Sequence, residues 1–431
     1  MMDATAIDEC LADCRRTLGD APPIGDPAYP RFVAAVRRIL DERWVQVVAA
    51  NQADLGRCRE RGLPDGMLHR MTLTDAHRDA AFALTGRLPA EIERAVTPSR
   101  DVIGPHGTRS RRIARPLGVL LMIYESRPSV TIDGALLPVC AGNVVLLRGG
   151  SEIAGTNAAL AEVFEQALRE AGLPTGMVRV LHDVDRAGLR MLLAREDAID
   201  VLIPRGSPSL TDACRSLSKI PMIVGGGGVN HLYVHASADL DLAVRIVLDG
   251  KLHEPEGCTA LETVLLDAAV AGKFWQTLMG YGDELAGCGL TVRVDADVVA
   301  AIPAEIARVV AVEPRSDSDF GREFLDRTLC VSTVGDADDA VKHVRRHGSA
   351  HTEAIVTGSD EVADSYCAQI DAAMVIVNGS VRLHDAPTLG LGCEIAISTS
   401  RLHVRGPVTL ADLMSYSWRV DGAGTLRFRK A

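Results

Sequence analysis

The sequence has no run rich in lysine or arginine, and its charge balance is acidic. Its 431 residues include 46 Lys and Arg against 57 Asp and Glu, for a formal net charge of -11. Because a nucleic-acid backbone requires a basic footprint and an anionic membrane surface attracts basic segments, we expect binding to neither nucleic acid nor membrane. The N-terminal stretch MMDATAIDECLADCRR also lacks an unbroken apolar run, which favours a cytoplasmic protein without a secretory signal or a membrane span.

The cysteines lack the paired spacings of a disulfide framework or a zinc ribbon. Ten cysteines occur and none belongs to a CxxC motif, a pattern typical of reduced thiols in a reducing compartment. Cys10 and Cys14 lie four residues apart on a predicted helix face. Packing explains this pair more simply than a disulfide or a metal site does.

Three histidines have the spacing of metal ligands without the rest of a metal site. His343, His347 and His351 recur every four residues in HVRRHGSAH, as ligands on one helix face would. Gly348 and Ser349 interrupt the predicted helix before His351, and no acidic pattern completes a zinc site. We therefore expect no bound metal.

The apolar pattern changes from helical to mixed along the chain. With 47% hydrophobic residues, the chain can bury a large core in two or three domains. Residues 5 to about 100 carry an apolar stripe at spacings of three and four, which predicts helices. From Pro116, short strands alternate with amphipathic helices, and this predicts an α/β fold with two doubly wound parallel sheets. The main strands are expected at 144–147, 178–181, 201–204, 222–224, 262–266, 354–356 and 374–378, and the helices at 152–171, 185–195, 207–218, 239–250, 269–287 and 361–370.

Two glycine-containing loops follow predicted strands. Arg148-Gly149-Gly150-Ser151 and Pro204-Arg205-Gly206-Ser207 each offer glycine for close backbone approach, a hydroxyl to cap the next helix and a cation for a ribose phosphate. In parallel sheets, ligands lie outside the carboxyl ends of strands, where helix N-termini present amides to phosphates. Either loop alone could simply form a strand-to-helix turn, but two at equivalent points of successive units favour a nucleotide.

The usual dinucleotide fingerprint, GxGxxG between a strand and a helix, is missing. Residues 390–396, GLGCEIA, imitate it. The residues that follow do not have the pattern of a long helix, so we do not expect a dinucleotide loop there.

Cys258 lies in the stretch KLHEPEGCTALETVLL, residues 251–266. Pro255 and Gly257 prevent a helix from continuing, and a strand follows, so Cys258 occupies a turn. A cysteine on a turn can become a thiolate nucleophile, because its pKa falls where backbone amides or cations point at it. The alternative is a buried structural cysteine. A nucleophile in the second α/β domain would place the active site in a cleft between domains.

A hairpin and the C-terminal tail suggest subunit pairing. A Gly-Pro-His-Gly turn at 104–107 separates two extended runs between Val102 and Arg115, and the tail contains two more, at 416–420 and 425–428. A protruding hairpin and a returning tail favour a homo-oligomer, either a dimer or a tetramer.

Several segments resemble one enzyme family. They are RPLGVLLMIYESRPSVTIDGALLPVCAGNVVLLRGGSEIAGTN (115–157), IDVLIPRG (199–206), ADLDLAVRIV (238–247), HTEAIVT (351–357), VNGSVRL (377–383) and LGLGCEIAISTSRLHVRGP (389–407). In this order they resemble the gamma-glutamyl phosphate reductases, also called glutamate-5-semialdehyde dehydrogenases, of the aldehyde dehydrogenase superfamily. The resemblance extends from about residue 30 to the end of the chain.

The resemblance implies an aldehyde-dehydrogenase-like fold in three parts. These are an NADPH-binding domain (1–101 and 116–232, with 379–400 returning to it), a catalytic cysteine domain (233–378) and an oligomerisation arm (102–115 and 401–431). The implied reaction is NADPH-dependent reductive dephosphorylation of L-glutamyl 5-phosphate to glutamate 5-semialdehyde, as in proline biosynthesis, with a functional link to a glutamate kinase. No glutamate stands in residues 223–231, where hydrolysing relatives place a general base, and phosphate as leaving group removes the need for one.

The resemblance also implies site residues. Cys258 is the implied catalytic nucleophile, which forms a thioacyl intermediate. The implied substrate-binding residues are Glu125, Ser126, Arg127, Ser129, Thr259 and Arg382. The implied cofactor-binding residues are Arg148, Gly149, Gly150, Ser151, Pro204, Arg205, Gly206, Ser207, Gly226 and Gly228.

The chain departs from the family pattern around the implied nucleophile. A glutamine-arginine pair is usual where His253 and Glu254 stand, and an asparagine is usual where Thr259 stands. Further departures are Ser129 in place of asparagine, Cys393 in place of alanine, and the segment 381–388. A carboxylate in place of a cation is expected to weaken binding of an anionic substrate. The same chemistry on another acyl phosphate or a modified glutamate, and a non-catalytic homologue, are the alternatives.

Overall fold

The computed structural model describes residues 3–97, 99–182, 184–296, 298–299 and 302–427. Two compact units form. The first runs to Val224 and contains also Leu391–Ala396 and the chain from Val408, and the second comprises Gly225–Gly390 and Ile397–Pro407. Across these described ranges, no helix combines the length and the apolar character that crossing a bilayer requires.

Helices and strands alternate along most of the chain. The helices are α1 (Ala4–Asp20), α2 (Ala28–Glu60), α3 (Asp65–Met71), α4 (Asp75–Val96), α5 (Pro128–Cys140), α6 (Ala154–Ala171), α7 (Arg186–Leu193), α8 (Pro208–Leu217), α9 (Leu240–Leu252), α10 (Ala271–Met279), α11 (Gly282–Leu285), α12 (Ala304–Val309), α13 (Ala337–His347) and α14 (Asp360–Gln369). The strands are β1 (Val102–Ile103), β2 (Arg109–Pro116), β3 (Val119–Tyr124), β4 (Val144–Arg148), β5 (Val178–Val180), β6 (Val201–Arg205), β7 (Asn230–Val234), β8 (Leu261–Asp267), β9 (Thr291–Val294), β10 (Ala311–Pro314), β11 (Thr328–Val334), β12 (Thr352–Val356), β13 (Met374–Val377), β14 (Glu394–Ser398), β15 (Gly406–Thr409) and β16 (Met414–Asp421).

The first unit begins with the predicted helical segment. The Asp3 carboxylate caps α1 by accepting the Ala6 amide at 2.9 Å, as Asp does at helix N-termini. In α2 the apolar stripe is buried, with Phe32, Val36 and Ile39 all at 0% exposure. Burial of one such stripe stabilises a long helix against its neighbours, and α2 packs along α6.

The first unit contains a four-stranded parallel sheet in the order β5-β4-β3-β6. All six residues of β3 are buried, as expected for a strand covered on both faces. The strand predicted at 222–224 is wrong, because only an isolated bridge joins Leu202 to Met222. Pro221 lacks an N–H for the ladder, and a run of glycines begins at Gly225, so pairing does not extend.

The predicted hairpin forms a separate three-stranded antiparallel sheet in the order β1-β2-β16. Val102 pairs with Ser110, and β16 pairs along the whole of β2, from Met414 opposite Pro116 to Asp421 opposite Arg109. The strand predicted at 425–428 is absent over residues 425–427, where the Thr425 amide instead closes a turn on Gly422. Residue 428 lies outside the described part of the chain.

The second unit contains a seven-stranded sheet in the order β10-β9-β11-β8-β7-β12-β13, and every pairing is parallel. Its core includes Leu232, Val264 and Phe274. The helix predicted at 269–287 is divided into α10 and α11, with the break at Gly280 and Tyr281, where glycine weakens a helix. Together the two units confirm the predicted α/β class with two parallel sheets, while the functional division into domains stays a prediction.

Candidate active site

Cys258 lies in the turn between α9 and β8, as predicted. It is exposed, whereas six of the other nine cysteines are buried and three are partly buried, and all ten belong to the described residues. The turn lies before β8, and Gly228 and Asn230, at the amino end of the neighbouring strand β7, lie against Cys258. The nucleophile candidate therefore lies at the amino ends of β7 and β8.

The backbone of this turn is held from several directions. The Asn230 side-chain amide donates to the carbonyl oxygens of Cys258 at 2.9 Å and Ala260 at 2.7 Å. Within the turn, the Ala260 amide donates to the Gly257 carbonyl at 2.9 Å. A Cβ added at Gly228 would lie 2.5 Å from the Cys258 carbonyl carbon and closer still to its oxygen. Only glycine fits at position 228 with the turn in this place.

Arg382 joins two of the residues that are expected to depart from the family pattern. Its guanidinium donates to the Thr259 hydroxyl at 2.6 Å and forms an ion pair with the Glu254 carboxylate. The Arg382 side chain is 21% exposed and that of Glu254 is 78% exposed. The predicted substrate-binding cation is therefore already paired, on the solvent side, with a carboxylate of the cysteine turn.

A buried ion pair closes the base of the turn. Lys251, at the end of α9, donates to Glu262 in β8 at 2.8 Å, and both side chains are 1% exposed. Burial raises the pKa of the Glu262 carboxyl to about 7, and the Lys251 ammonium acts in the opposite direction. Separating the two side chains would leave a buried charge without its partner. The ion pair therefore holds the two ends of the turn together.

In the first unit, the loop after β4 lines a cleft that is open to solvent. Arg148, Gly149, Gly150 and Ser151 all border it, together with residues that include Asn157 and His182. A Cβ at Gly150 would lie against the Ser126 hydroxyl and 2.5 Å from the Glu152 carboxylate. Glycine thus lets the loop pack closely against these two side chains while the loop itself borders the cleft.

The loop after β6, Pro204 to Ser207, is tied to the end of β3. The Ser207 amide and hydroxyl donate to the Glu125 carboxylate at 3.0 and 2.7 Å. The Glu125 amide donates to the Arg205 carbonyl at 3.1 Å. A Cβ at Gly206 would lie 2.7 Å from the Glu125 carboxyl carbon. Since β3 and β6 flank the point where strand order reverses, this loop occupies the expected ligand position of a parallel sheet.

The remaining predicted residues of the first unit follow β3. The buried Ser126 hydroxyl donates to the Glu152 carboxylate at 2.7 Å. Arg127 is exposed and immediately precedes α5, and Ser129 lies in the first turn of that helix. The structure therefore brings Glu125, Ser126 and both glycine loops to one edge of the first sheet.

Gly226 and Gly228 belong to the second unit, unlike the other predicted cofactor residues. Gly228 packs against Cys258, and its amide donates to the Glu323 carboxylate. Asn230 and Glu323 were missed in the sequence, because their neighbours become adjacent only when the strands align. The assignment of every site residue stays a prediction at this point.

The regularly spaced histidines pack rather than form a single row. His343 and His347 lie on α13, where His343 contacts the ring of Phe320 edge-on, with ring centroids 4.5 Å apart. His351 lies beyond the end of the helix and is fully buried. Burial lowers the pKa of His343 to about 3. No group of three potential ligands occurs among His, Cys, Asp and Glu within the described ranges.

Comparisons with known proteins place the chain in a family. The aldehyde dehydrogenase family matches residues 35–300. A gamma-glutamyl phosphate reductase of Symbiobacterium thermophilum is 42% identical over 401 residues, which is 91% of this chain and 93% of the relative. One of Xanthomonas campestris pv. campestris is 39% identical over 414 residues, or 96% of this chain and 98% of the relative.

Solved structures agree with these sequence relatives. The crystal structure of gamma-glutamyl phosphate reductase from Thermotoga maritima has a TM-score of 0.86 and 29% identity, covering 98% of this chain and all of that one. An acetylating aldehyde dehydrogenase from Geobacillus thermoglucosidasius, at 17% identity and a TM-score of 0.72, covers 99% of this chain and 98% of its own and shares the fold. The aldehyde-dehydrogenase-like fold is thus confirmed, and the chain belongs to the gamma-glutamyl phosphate reductase family of the aldehyde dehydrogenase superfamily.

Proposed function

We propose that this protein reduces L-glutamyl 5-phosphate to glutamate 5-semialdehyde with NADPH and releases phosphate, as in proline biosynthesis. The observation that carries the proposal is Cys258, an exposed cysteine on a turn with a fixed backbone, in a chain 42% identical to a protein named gamma-glutamyl phosphate reductase. The two glycine loops at the carboxyl ends of β4 and β6 support a nucleotide cofactor.

The Cys258 thiolate attacks the acyl carbon of the substrate. A carbon–sulfur bond forms, the carbonyl electrons move to oxygen, and the carbon–oxygen bond to phosphate then breaks to leave a thioester on Cys258. Phosphate departs with the bonding electrons. No water takes part in this step. Because water would hydrolyse the thioester, the site must exclude it until the thioester is reduced.

The turn supplies a donor for the developing oxyanion. The Gly257 carbonyl accepts the Ala260 amide, and in a trans peptide the N–H points opposite to the carbonyl. The Cys258 N–H is therefore directed away from Ala260, and we assign the oxyanion to it. A fixed amide of this kind stabilises charge without reorganisation during the reaction.

Cations and hydroxyls near the two glycine loops and the cysteine turn suit an anionic substrate. Arg382 and Thr259 adjoin Cys258, and Arg127 and Ser129 begin α5 in the first unit. A guanidinium offers a planar pair of donors to a carboxylate or a phosphate. We assign these residues, with Glu125 and Ser126, to substrate binding.

The loops of the first sheet fit a dinucleotide. The cleft lined by Arg148 to Ser151 exposes backbone to which a phosphate or a ribose can bind, and Gly206 allows the second loop to pack closely against the Glu125 side chain. Arg148 provides a cation for a 2′-phosphate, which favours NADPH over NADH. When bound, the cofactor supplies the hydride that converts the thioester to the aldehyde.

The proposal is tested in the oxidative direction. Glutamate 5-semialdehyde, phosphate and NADP should produce NADPH, and the rate with NAD should be lower. Cys258→Ala should abolish the reaction and leave the unfolding midpoint nearly unchanged, because an exposed side chain contributes little to stability. No turnover with this aldehyde by the folded wild-type protein, in any mixture of phosphate with NADP or NAD, would contradict the proposal.

We also propose a homo-oligomer formed through the β1-β2-β16 sheet. Trp418 and Val420 are 51% and 57% exposed on β16, which is an edge strand of this sheet. Such an edge is available for pairing with a second copy. Sedimentation should give a dimer or larger assembly, and Val420→Lys should shift it towards the monomer; a wild-type monomer at assay concentrations would contradict this.

Two finer expectations accompany the reaction. An acyl phosphate hydrolyses readily, so a glutamate kinase that forms it should act close by. The free thiols described above suit the reducing cytoplasm.

A further inference from the structure

We propose that Asn230 is the positioning residue of the Cys258 turn. Asn230 is the first residue of β7 and is fully buried. Its side chain spans the turn by donating to the carbonyls of both Cys258 and Ala260. The inference rests on the function proposed above and adds a residue that controls the direction of the nucleophile and its backbone amide.

The orientation of Asn230 is determined by a third bond. Its carbonyl oxygen accepts the Thr352 amide of β12 at 3.1 Å. A flipped side chain would place oxygen against two carbonyls and nitrogen against an N–H, so one orientation is strongly favoured. Two of the bonds reach the turn before β8 and the third reaches β12. Asn230 thereby fixes the position of the turn relative to the sheet.

The two bonds from Asn230 to carbonyls also restrain neighbouring backbone N–H groups. Peptide planarity means that fixing the Cys258 carbonyl also fixes the Thr259 N–H, and the bond from Ala260 to Gly257 carries the constraint to the Cys258 N–H. The thiol and the proposed oxyanion donor are thus aligned together. Misplacing a reacting group by about 1 Å can cost about 100-fold in rate.

The side chain that follows the nucleophile does not supply this constraint. The Thr259 hydroxyl is engaged by Arg382 at 2.6 Å. The Asn230 side-chain amide donates to both the Cys258 and the Ala260 carbonyls. A substitution at position 230 therefore removes both of these bonds from the turn.

Asn143 provides a matched control in the first unit. It is also fully buried, donates to the carbonyls of Pro138 at 3.3 Å and Leu413 at 2.9 Å, and accepts the Gly118 amide at 2.9 Å. Replacing either asparagine removes two bonds to backbone carbonyls and one bond from a backbone amide. Only Asn230 has the nucleophile among its partners.

The experiment compares Asn230→Leu and Asn143→Leu, which keep the side-chain shape, and Asn230→Ala and Asn143→Ala, in which water can reach the carbonyls. For each, the unfolding midpoint, the kcat and KM for glutamate 5-semialdehyde, and the pH dependence of Cys258 alkylation by iodoacetamide are measured below the unfolding transition. Both pairs should lose similar stability. Asn230 variants should lose about 30- to 100-fold in kcat with KM changed less than threefold, and the alkylation profile should shift.

The outcomes separate the two proposals. If Asn230 variants are destabilised like their Asn143 counterparts but keep kcat and the alkylation profile within twofold, Asn230 has only a structural role and the inference is wrong. Should the Leu variants fail to fold, the Ala pair decides by the same criterion. A wild type without turnover would contradict the proposed function, while the alkylation profiles would still decide the role of Asn230.

Discussion

Gly228→Ala should disable the protein by moving the Cys258 turn. The added Cβ would lie 2.5 Å from the Cys258 carbonyl carbon, and Cβ atoms essentially never approach another heavy atom this closely without a bond. The obstacle is backbone rather than the flexible end of a side chain. The turn must therefore retreat by about 0.5 Å or more at this carbon, and further at its oxygen, which also strains the bond to Asn230. With about 100-fold lost per 1 Å of misplacement, we expect kcat to fall roughly 100-fold.

The assay follows NADPH formation from glutamate 5-semialdehyde, phosphate and NADP, together with iodoacetamide labelling of Cys258. Gly272→Ala is the matched control, because Gly272 lies in α10 of the same unit with nothing within 4 Å of the added Cβ. This control should retain wild-type kcat and gain slightly in helix stability.

The kinetic pattern distinguishes the turn from a cofactor contact at the same glycine. A displaced turn lowers kcat and slows labelling while the KM for NADP stays nearly constant. A variant with unchanged kcat and labelling would refute the geometric argument. If instead the KM for NADP rose tenfold with normal labelling, Gly228 would serve the cofactor and not the nucleophile.

Three further predictions concern charge, reactivity and pH. Glu254→Gln should lower the KM for the anionic substrate about three- to fivefold at low salt and have little effect on it at 1 M salt. The control is Glu313→Gln, which removes a carboxylate paired with Arg293 on the edge strand β10 and should leave the KM unchanged. An unchanged KM for Glu254→Gln at low salt would contradict the prediction. Mass spectrometry after brief iodoacetamide treatment should find Cys258 labelled first, and equal labelling of the buried cysteines would argue against a catalytic role. Burial lowers the pKa of His351 to about 3 and of His384 to about 4 from 6.5, so the unfolded state binds more protons at these histidines between pH 6.5 and 4, and each should lower the free energy of unfolding by roughly 1.4 kcal/mol per pH unit as the pH decreases through that window. The Glu262 carboxyl, whose pKa burial raises to about 7, contributes in the opposite direction, so the histidine contribution is measured by difference. Between pH 7 and pH 5, urea unfolding of His384→Gln should show a smaller loss of stability than the wild type, and an equal change in the two proteins would contradict the prediction.

The sequence predicts well those features that depend on neighbouring residues in the chain. The alternation of strands and helices, the loops at Arg148 and Arg205, and the turn at Cys258 each depend on residues next to one another in the chain. The errors also have local causes. The prediction of one helix over 269–287 did not take into account that Gly280 ends α10. The strand predicted at 222–224 does not form beyond an isolated bridge, because a run of glycines begins at Gly225.

The contacts that hold the turn depend on register and could not be predicted in this way. Asn230 meets carbonyls 28 and 30 residues further along, and Arg382 meets Glu254 across 128 residues. Nothing in the local pattern of β7 distinguishes an asparagine that binds a neighbouring turn from one that ends a loop. The rule that ligands lie at the carboxyl ends of strands selects the first-unit loops, whose role in binding stays a prediction, but the Cys258 turn lies at the amino ends of β7 and β8, so the same rule would have missed it.

Two residues around Cys258 that are expected to depart from the family pattern are connected in the structure. Thr259 and Glu254 share the guanidinium of Arg382, so the Glu254 carboxylate has a cationic partner. Because Glu254 is 78% exposed, its ion pair with Arg382 contributes about 1 kcal/mol or less, and a substrate carboxylate or phosphate that makes two bonds to the guanidinium can displace it. The carboxylate therefore weakens anion binding by competition without abolishing it, and this is why Glu254→Gln should change KM and leave kcat, which depends on the separately held Cys258 backbone, close to its original value.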